Sequence, residues 1–269
     1  MDIRRKIIFV LVLISAISKS YAVVNGQNAS QYSQAIVQIV VSPQAIAQLE
    51  VTEQQLKKSE ICTGSFVSTS QILTAGHCVF NELGKKQFLY LVLEQKESHK
   101  FILKELSLLK SSWQPEDVEQ KIEPGAICSK PGIPLFKTRT KDIAILEVKN
   151  HRHAQWLKVS KQKPSIGQKI VFAGYGLKRN PFEGVQGLGL MNDLKLTFGE
   201  NVIREVNTQR FSFKADIMKA FAADGDSGSP VLLNGEIIGV MSTVNEHCET
   251  DFGEDYGILN TATVVDGEI

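Results

Sequence analysis

The chain has 269 residues, 43% of them hydrophobic and 22% charged, with a formal net charge of +1. That length and apolar content suit one large domain or two small ones sharing an interface, and they exclude a disordered chain. The near-neutral charge leaves no basic footprint for nucleic acid.

Taken from the amino end, Arg4, Arg5 and Lys6 precede an apolar run from Ile7 to Ile17, and Ser20 and Ala22 stand three and one positions before a cut after Ala22. This arrangement reads as a secretory signal peptide over residues 1–22. The run of 11 residues is too short to cross a bilayer core, which takes about 20 in a helix, so a retained anchor is the weaker reading. Its removal from 269 residues leaves 247, residues 23–269, with 26 basic and 28 acidic side chains. The expected destination is secreted or periplasmic, off the membrane once the leader is cut. Asn28-Ala29-Ser30 is a glycosylation sequon, which matters only in a eukaryotic host.

Short apolar runs bounded by turn residues follow, and they read as strands. They are "AIVQIVV" (Ala35 to Val41), "SFVSTSQILTA" (Ser65 to Ala75), "FLYLVLE" (Phe88 to Glu94) and "FILKELSLL" (Phe101 to Leu109). Between Pro43 and Glu60, Ile46, Leu49 and Leu56 share one helical face amid polar residues, which predicts a short helical surface insertion. The stretch from Lys110 to Lys141 reads as loop and edge structure. Beyond it come "DIAILEV" (Asp142 to Val148), "KIVFAGYG" (Lys169 to Gly176) and "PVLLNGEIIGVMS" (Pro230 to Ser242). Asn234-Gly235 in the last of these is a two-residue hairpin signal. The pattern predicts an all-β protein.

Chemistry-bearing residues fall in three separated motifs: "TAGHC" with His77, "KDIAILEV" with Asp142 and "GDSGSP" with Ser227. A serine hydroxyl is a weak nucleophile at neutral pH and needs a base to take its proton. Histidine titrates near the working pH and can return that proton to a leaving amine. Each motif alone is weak, since Gly-Asp-Ser-Gly is an ordinary turn and an Asp before a strand is often a cap.

Together, in the order His, Asp, Ser, the motifs resemble those of the trypsin-like (chymotrypsin-fold) serine endopeptidases, from Val23 to about Leu259. The resemblance implies two packed six-stranded antiparallel Greek-key β-barrels, the first over about 36–150 and the second over about 160–262. It implies His77 as base, Asp142 as the group orienting it, Ser227 as nucleophile, and the N–H groups of Gly225 and Ser227 as oxyanion donors. Ser229 stands where the family's second glycine is common, a small change. "FAGYG" (Phe172 to Gly176) resembles the strand and turn that open the second barrel, and "GVMST" (Gly239 to Thr243) the substrate-binding strand that carries Ser242.

The stretch "VVNG" from Val23 resembles the family's mature amino terminus, whose freed amine pairs inside the fold with the acid before the nucleophile, here Asp226. Ala22 abuts Val23, so the export cut and the activating cut are expected to be one event. By the same resemblance Phe221 floors the primary specificity pocket and Val244 narrows it, which favours small or medium apolar residues before the scissile bond. Glu254 or Asp255, entering from the following loop, would instead restore a preference for basic residues.

Four cysteines lie in the exported part, where an oxidising compartment allows pairing. Cys62 and Cys78 match the family's disulfide around the catalytic histidine. Cys128 and Cys248 remain, either as a second bond joining the two barrels or as two free thiols. The family's closing carboxy-terminal helix is expected to be shortened or absent, since ten residues follow Leu259.

No cofactor and no metal are expected. His151 and His153 in "NHRHA" lack further ligands at suitable spacing and read as a solvated turn. Expected partners are polypeptide substrates and protein protease inhibitors, with the chain a monomer. The competing reading is a catalytically idle homologue that binds a peptide or partner protein.

Overall fold

A computed structural model describes residues 27–28, 34–81, 84–95, 100–113, 142–176, 194–214, 222–223, 225–248 and 257–265. Two antiparallel sheets dominate. The first contains β2 (Ile36–Ser42), β3 (Glu50–Thr52), β4 (Glu60–Phe66), β5 (Gln71–Thr74), β6 (Phe88–Gln95), β7 (Lys100–Glu105), β8 (Ser107–Ser111) and β9 (Ala144–Glu147). The second contains β1 (Gln27–Asn28), β10 (Lys169–Gly174), β11 (Thr197–Val202), β12 (Glu205–Val206), β13 (Arg210–Lys214), β14 (Pro230–Leu233), β15 (Glu236–Cys248) and β16 (Gly257–Val264).

Each sheet curls on itself because one strand bends and serves two neighbours. Only Leu106 separates β7 from β8, and its N–H bonds to Leu89 O, so the pair is one bent strand. One half of it pairs with β6 and the other with β9, and the circuit β2, β4, β5, β9, β8/β7, β6 returns to β2 through six strands. In the second sheet β11 and β12 are the bent strand. Ile203 N–H bonds back to Gln168 and Arg204 N–H to Ser212. The circuit β10, β14, β15, β16, β13, β12/β11 closes in the same way, again through six strands. Closure removes the unpaired strand edges that invite aggregation.

Side-chain alternation fills each barrel. On β2, Val37, Ile39 and Val41 enter the first core beside Phe66, Ile72, Leu91 and Leu146. Ile36 and Val40 point the other way, into two further apolar clusters. Burial on both faces explains why this strand is apolar at successive positions apart from Gln38, itself buried. Phe172, Phe211, Phe213, Val231 and Ile238 fill the second barrel. The Asn234-Gly235 hairpin forms as expected, with φ of 53° and 82° at its two central residues and Leu233 opposite Glu236.

The helical insertion is shorter than its sequence suggests. Residues 50–52 form β3, which pairs with β7, and the helix α1 spans only Glu53–Leu56. Thr52 caps it reciprocally with Gln55, the arrangement that satisfies orphan amides at a helix start. Leu56 and Ile46 pack against Val40, Tyr90 and Leu103, whereas Leu49 is exposed. Of the expected helical face only Leu56 lies on α1, while Ile46 and Leu49 fall in the connection before β3. Among the described residues no helix is long and apolar enough to cross a membrane.

Candidate functional site

His77 lies in a single 3-10 turn, Gly76–Cys78, directly after β5. A disulfide joins Cys78 to Cys62 on β4, with Cα atoms 6.3 Å apart, and so staples the turn to the neighbouring strand. Asp142 stands at the mouth of β9 and is buried. Its Oδ2 accepts from His77 Nδ1 at 2.6 Å and from Ser242 Oγ at 2.6 Å, while Oδ1 accepts the His77 backbone N–H at 2.8 Å. An ionised carboxylate only accepts. Nδ1 is thus the protonated nitrogen, and the lone pair of the neutral ring sits on Nε2.

The electrostatics follow from this arrangement. Burial is the largest influence on His77 and works against the imidazolium, but the Asp142 charge, its hydrogen bond and the Glu60 charge outweigh it. The imidazole is held above its ordinary 6.5. Burial likewise works against the Asp142 carboxylate and is outweighed by the His77 charge and by hydrogen bonds from His77 and Ser242, holding the acid below 3.8. The pair is a base primed to accept a proton and a partner that stays ionised while it does so.

Ser227 sits in a tight turn that leads into β14 of the second barrel and packs against β4 of the first. Gly225 and Gly228 adopt φ of 92° and 85°, a backbone region open to glycine at little cost. A side chain at Gly228 would place its Cβ 2.1 Å from Thr63 O, so the turn abuts β4 directly. Thr63 N–H donates to Ser227 O at 2.8 Å, and Thr63 Oγ1 donates to Gly225 O at 2.9 Å. Since Thr63 follows Cys62, which is bonded to Cys78, the serine-bearing turn and His77 are neighbours.

Asp226 points inward and is fully buried. Its two carboxylate oxygens accept the N–H groups of Gly176 and Ala223, at 2.8 and 2.9 Å. Gly174 and Gly176 leave room for it: a Cβ on either would fall less than 3 Å from that carboxylate. Ser229 is buried, and its hydroxyl has no hydrogen-bond partner among the described residues.

Of the residues singled out from sequence, His77, Asp142 and Ser242 form one hydrogen-bonded array, and Gly225, Asp226 and Ser227 form the adjoining turn. Val244 and Cys248 lie on β15, opposite Asn260 and Gly257. Val23, Phe221, Cys128, Glu254 and Asp255 lie outside the described residues. His151 and His153 follow the turn at Lys149 and Asn150 and are half-buried rather than fully solvated. His153 stacks flat on Phe66, with centroids 4.1 Å apart, and its ring contacts Gln34 O. Burial, then the charges of Lys104 and His153, hold His151 below its ordinary range. Among the described residues no group of three His, Cys, Asp or Glu side chains is placed to hold a metal.

Two features escaped the sequence. The bond from Ser242 to Asp142 spans 100 positions, and Thr63 carries no motif of its own beyond standing beside Cys62. Its position on a strand that meets the turn is visible only in the fold.

Two closed six-stranded barrels, with a half-buried His77 paired to a buried Asp142 and a serine-bearing turn at their junction, define the two-barrel class of serine-protease folds. The chain belongs to the trypsin family, whose model matches residues 23–263. It is similar to snake venom serine proteinase 14 of Crotalus adamanteus, 25% identical over 199 residues that cover 70% of this chain and 68% of that one. It is also similar to serine protease VLSP-3 of Macrovipera lebetinus, 26% identical over 196 residues with 70% and 68% covered. Among solved structures, neuropsin, a serine protease expressed in the limbic system of mouse brain, matches with a TM-score of 0.55 at 18% identity, covering 90% of this chain and 94% of its own. Human heparin binding protein matches with a TM-score of 0.54 at 15% identity, covering 91% and 92%. At such identities the structural likeness speaks for the fold.

Proposed function

We propose that the protein is a secreted serine endopeptidase in which His77, Asp142 and Ser227 act as a catalytic triad. The observation that carries this reading is the buried Asp142 carboxylate, bonded at once to His77 and Ser242, beside the Ser227 turn. Ser227 Oγ attacks the scissile carbonyl as His77 Nε2 takes its proton. Asp142 keeps the tautomer and stabilises the imidazolium. The N–H groups of Gly225 and Ser227 receive the negative oxygen of the tetrahedral intermediate. The carbon–nitrogen bond then breaks, His77 returns the proton to the leaving amine, and an acyl-Ser227 ester remains. Water, deprotonated by His77, hydrolyses that ester and regenerates the site.

Residues 23–269 form the protease domain in this reading, and the leader over residues 1–22 is removed after Ala22. The freed amine of Val23 pairs with Asp226 and completes the turn. The inward, buried carboxylate of Asp226 supports that role. Export is supported by the leader pattern and by a relative named for snake venom. Polypeptides are the substrates, with small or medium apolar residues before the cut, because Phe221 and Val244 replace an acidic pocket. Protein protease inhibitors would bind the same cleft of a monomeric enzyme.

The test is a fluorophosphonate probe on folded mature protein, with the adduct mapped by mass spectrometry. Labelling at Ser227 that disappears in Ser227→Ala is expected. A folded mature protein that takes no label would instead be the idle homologue.

A further inference from the structure

We infer that Thr63 is a positioning residue for the oxyanion turn, holding the Gly225–Ser227 peptides through its side-chain hydroxyl. The inference rests on the endopeptidase reading above and adds to it a first-barrel residue outside the triad. Thr63 is fully buried on β4. Its hydroxyl does two things at once: it donates to Gly225 O at 2.9 Å and accepts the Tyr175 N–H at 3.0 Å. Tyr175 belongs to the turn after β10, and the next residue, Gly176, donates to Asp226. One oxygen on the first barrel therefore ties together both second-barrel segments that flank the oxyanion donors. The Thr63 backbone completes the clamp by donating to Ser227 O, and Thr63 O is itself fixed by Thr74 Oγ1 at 2.8 Å.

The physical need for such a clamp lies in Gly225. With φ of 92° and no side chain, Gly225 offers little steric barrier to other conformations, and on its N–H side the Gly225–Asp226 peptide is held by the Asp226 N–H donating to Ala223 O at 3.0 Å. Rotation of the peptide between Gly225 and Asp226 swings Gly225 O away from β4 and drags the neighbouring N–H groups off the point where the oxyanion forms. A buried donor facing Gly225 O penalises that rotation, because the carbonyl would lose its donor and the hydroxyl its acceptor, leaving the hydroxyl only the Tyr175 N–H. The Val23–Asp226 pair would hold the same turn from the opposite side, so the hydroxyl offers a hold independent of the amino terminus.

The experiment compares Thr63→Val, which keeps the shape and loses the hydroxyl, and Thr63→Ala with Thr63→Ser, which keeps the hydroxyl. Each is assayed for kcat and KM, and for affinity to a peptide aldehyde and the matching alcohol, both ending in an apolar residue. The aldehyde forms an oxyanion with Ser227, and the alcohol does not. In the Val and Ala variants kcat and aldehyde affinity should fall about 10- to 100-fold, short of the roughly 10²–10³ seen when a donor is removed outright. KM and alcohol affinity should stay within about threefold on this account, since ground-state binding does not use the oxyanion donors. Thr63→Ser should match wild type. Equal weakening of aldehyde and alcohol, an unchanged kcat in Thr63→Val, or a Thr63→Ser as poor as Thr63→Val would overturn the inference. A wild type that neither takes the fluorophosphonate nor binds the aldehyde would instead overturn the endopeptidase reading.

Discussion

The two sides of the site are held by different means. On the first-barrel side, Asp142 is fixed by burial, and His77 by the disulfide at Cys78 and by its hydrogen bonds to the Asp142 carboxylate. On the second-barrel side, the Ser227 turn is built on glycines with positive φ and is held through hydrogen bonds from Thr63, Gly176 and Ala223. The first arrangement is stiff in itself. The second borrows its stiffness from neighbours, so changes far from Ser227 in sequence should reach it.

The largest effect should come from the reacting atom on the borrowed side. Ser227→Ala is expected to lower kcat by about 10⁶ while leaving the melting temperature within a degree or two of wild type. Steady-state kinetics and a thermal melt on one preparation check both halves. Activity within tenfold of wild type would end the triad assignment.

Next in size is the amino terminus. One extra residue before Val23, confirmed by intact mass, should leave the protein soluble and nearly inactive. Asp226 would lose its ammonium partner, and breaking a buried pair costs about 3–5 kcal/mol. Full activity of the extended protein would show that the hydrogen bonds to Asp226 suffice to hold the turn.

The stiff side should respond to removal of its staple mainly in stability. The Cys62–Cys78 bridge spans a separation of 16 residues, and the double serine variant should lose about 3 kcal/mol by chain entropy. Chemical denaturation measures this. If kcat also collapses in the folded fraction, the disulfide is needed for placing His77 as well as for folding.

The smallest effect is a displacement in pH. The acid limb of kcat/KM should have its midpoint above 6.5, because Asp142 raises His77. Asp142→Asn should bring that midpoint down, since burial then acts without the compensating charge. Stability runs the other way. The raised His77 contributes fully below its unfolded value of 6.5 and loses that contribution as pH rises through its folded value. The lowered Asp142 contributes above its unfolded value of 3.8 and loses that as pH falls through its folded value. The pair therefore stabilises most between 3.8 and 6.5, a range in which the base is largely protonated and turnover is weak. A limb centred below 6.5 would contradict the coupling.

By itself the sequence determined the strand-forming segments with strong apolar content, the Asn234-Gly235 hairpin and the three motifs around His77, Asp142 and Ser227. These are local signals: a run of β-branched residues, a turn that needs positive φ, residue types at short spacing. Strands β11, β13 and β16 were not legible, because Thr197, Asn201, Ser212 and Thr263 take inward or covered places where apolar residues would mark a strand. Their pairing comes from barrel closure. The helical face around Leu49 and Leu56 was legible as amphipathic, yet pairing of Val51 with Phe101 drew residues 50–52 into β3. His151 and His153 read as polar, and the Phe66 ring turned them into packing groups. The tertiary structure alone decided that Thr63 would meet Gly225 and that Ser242 would meet Asp142, 162 and 100 positions apart. The physical reason is that a hydrogen bond depends on position in space to within about half an ångström, and only the closure and docking of two barrels places such distant residues that closely.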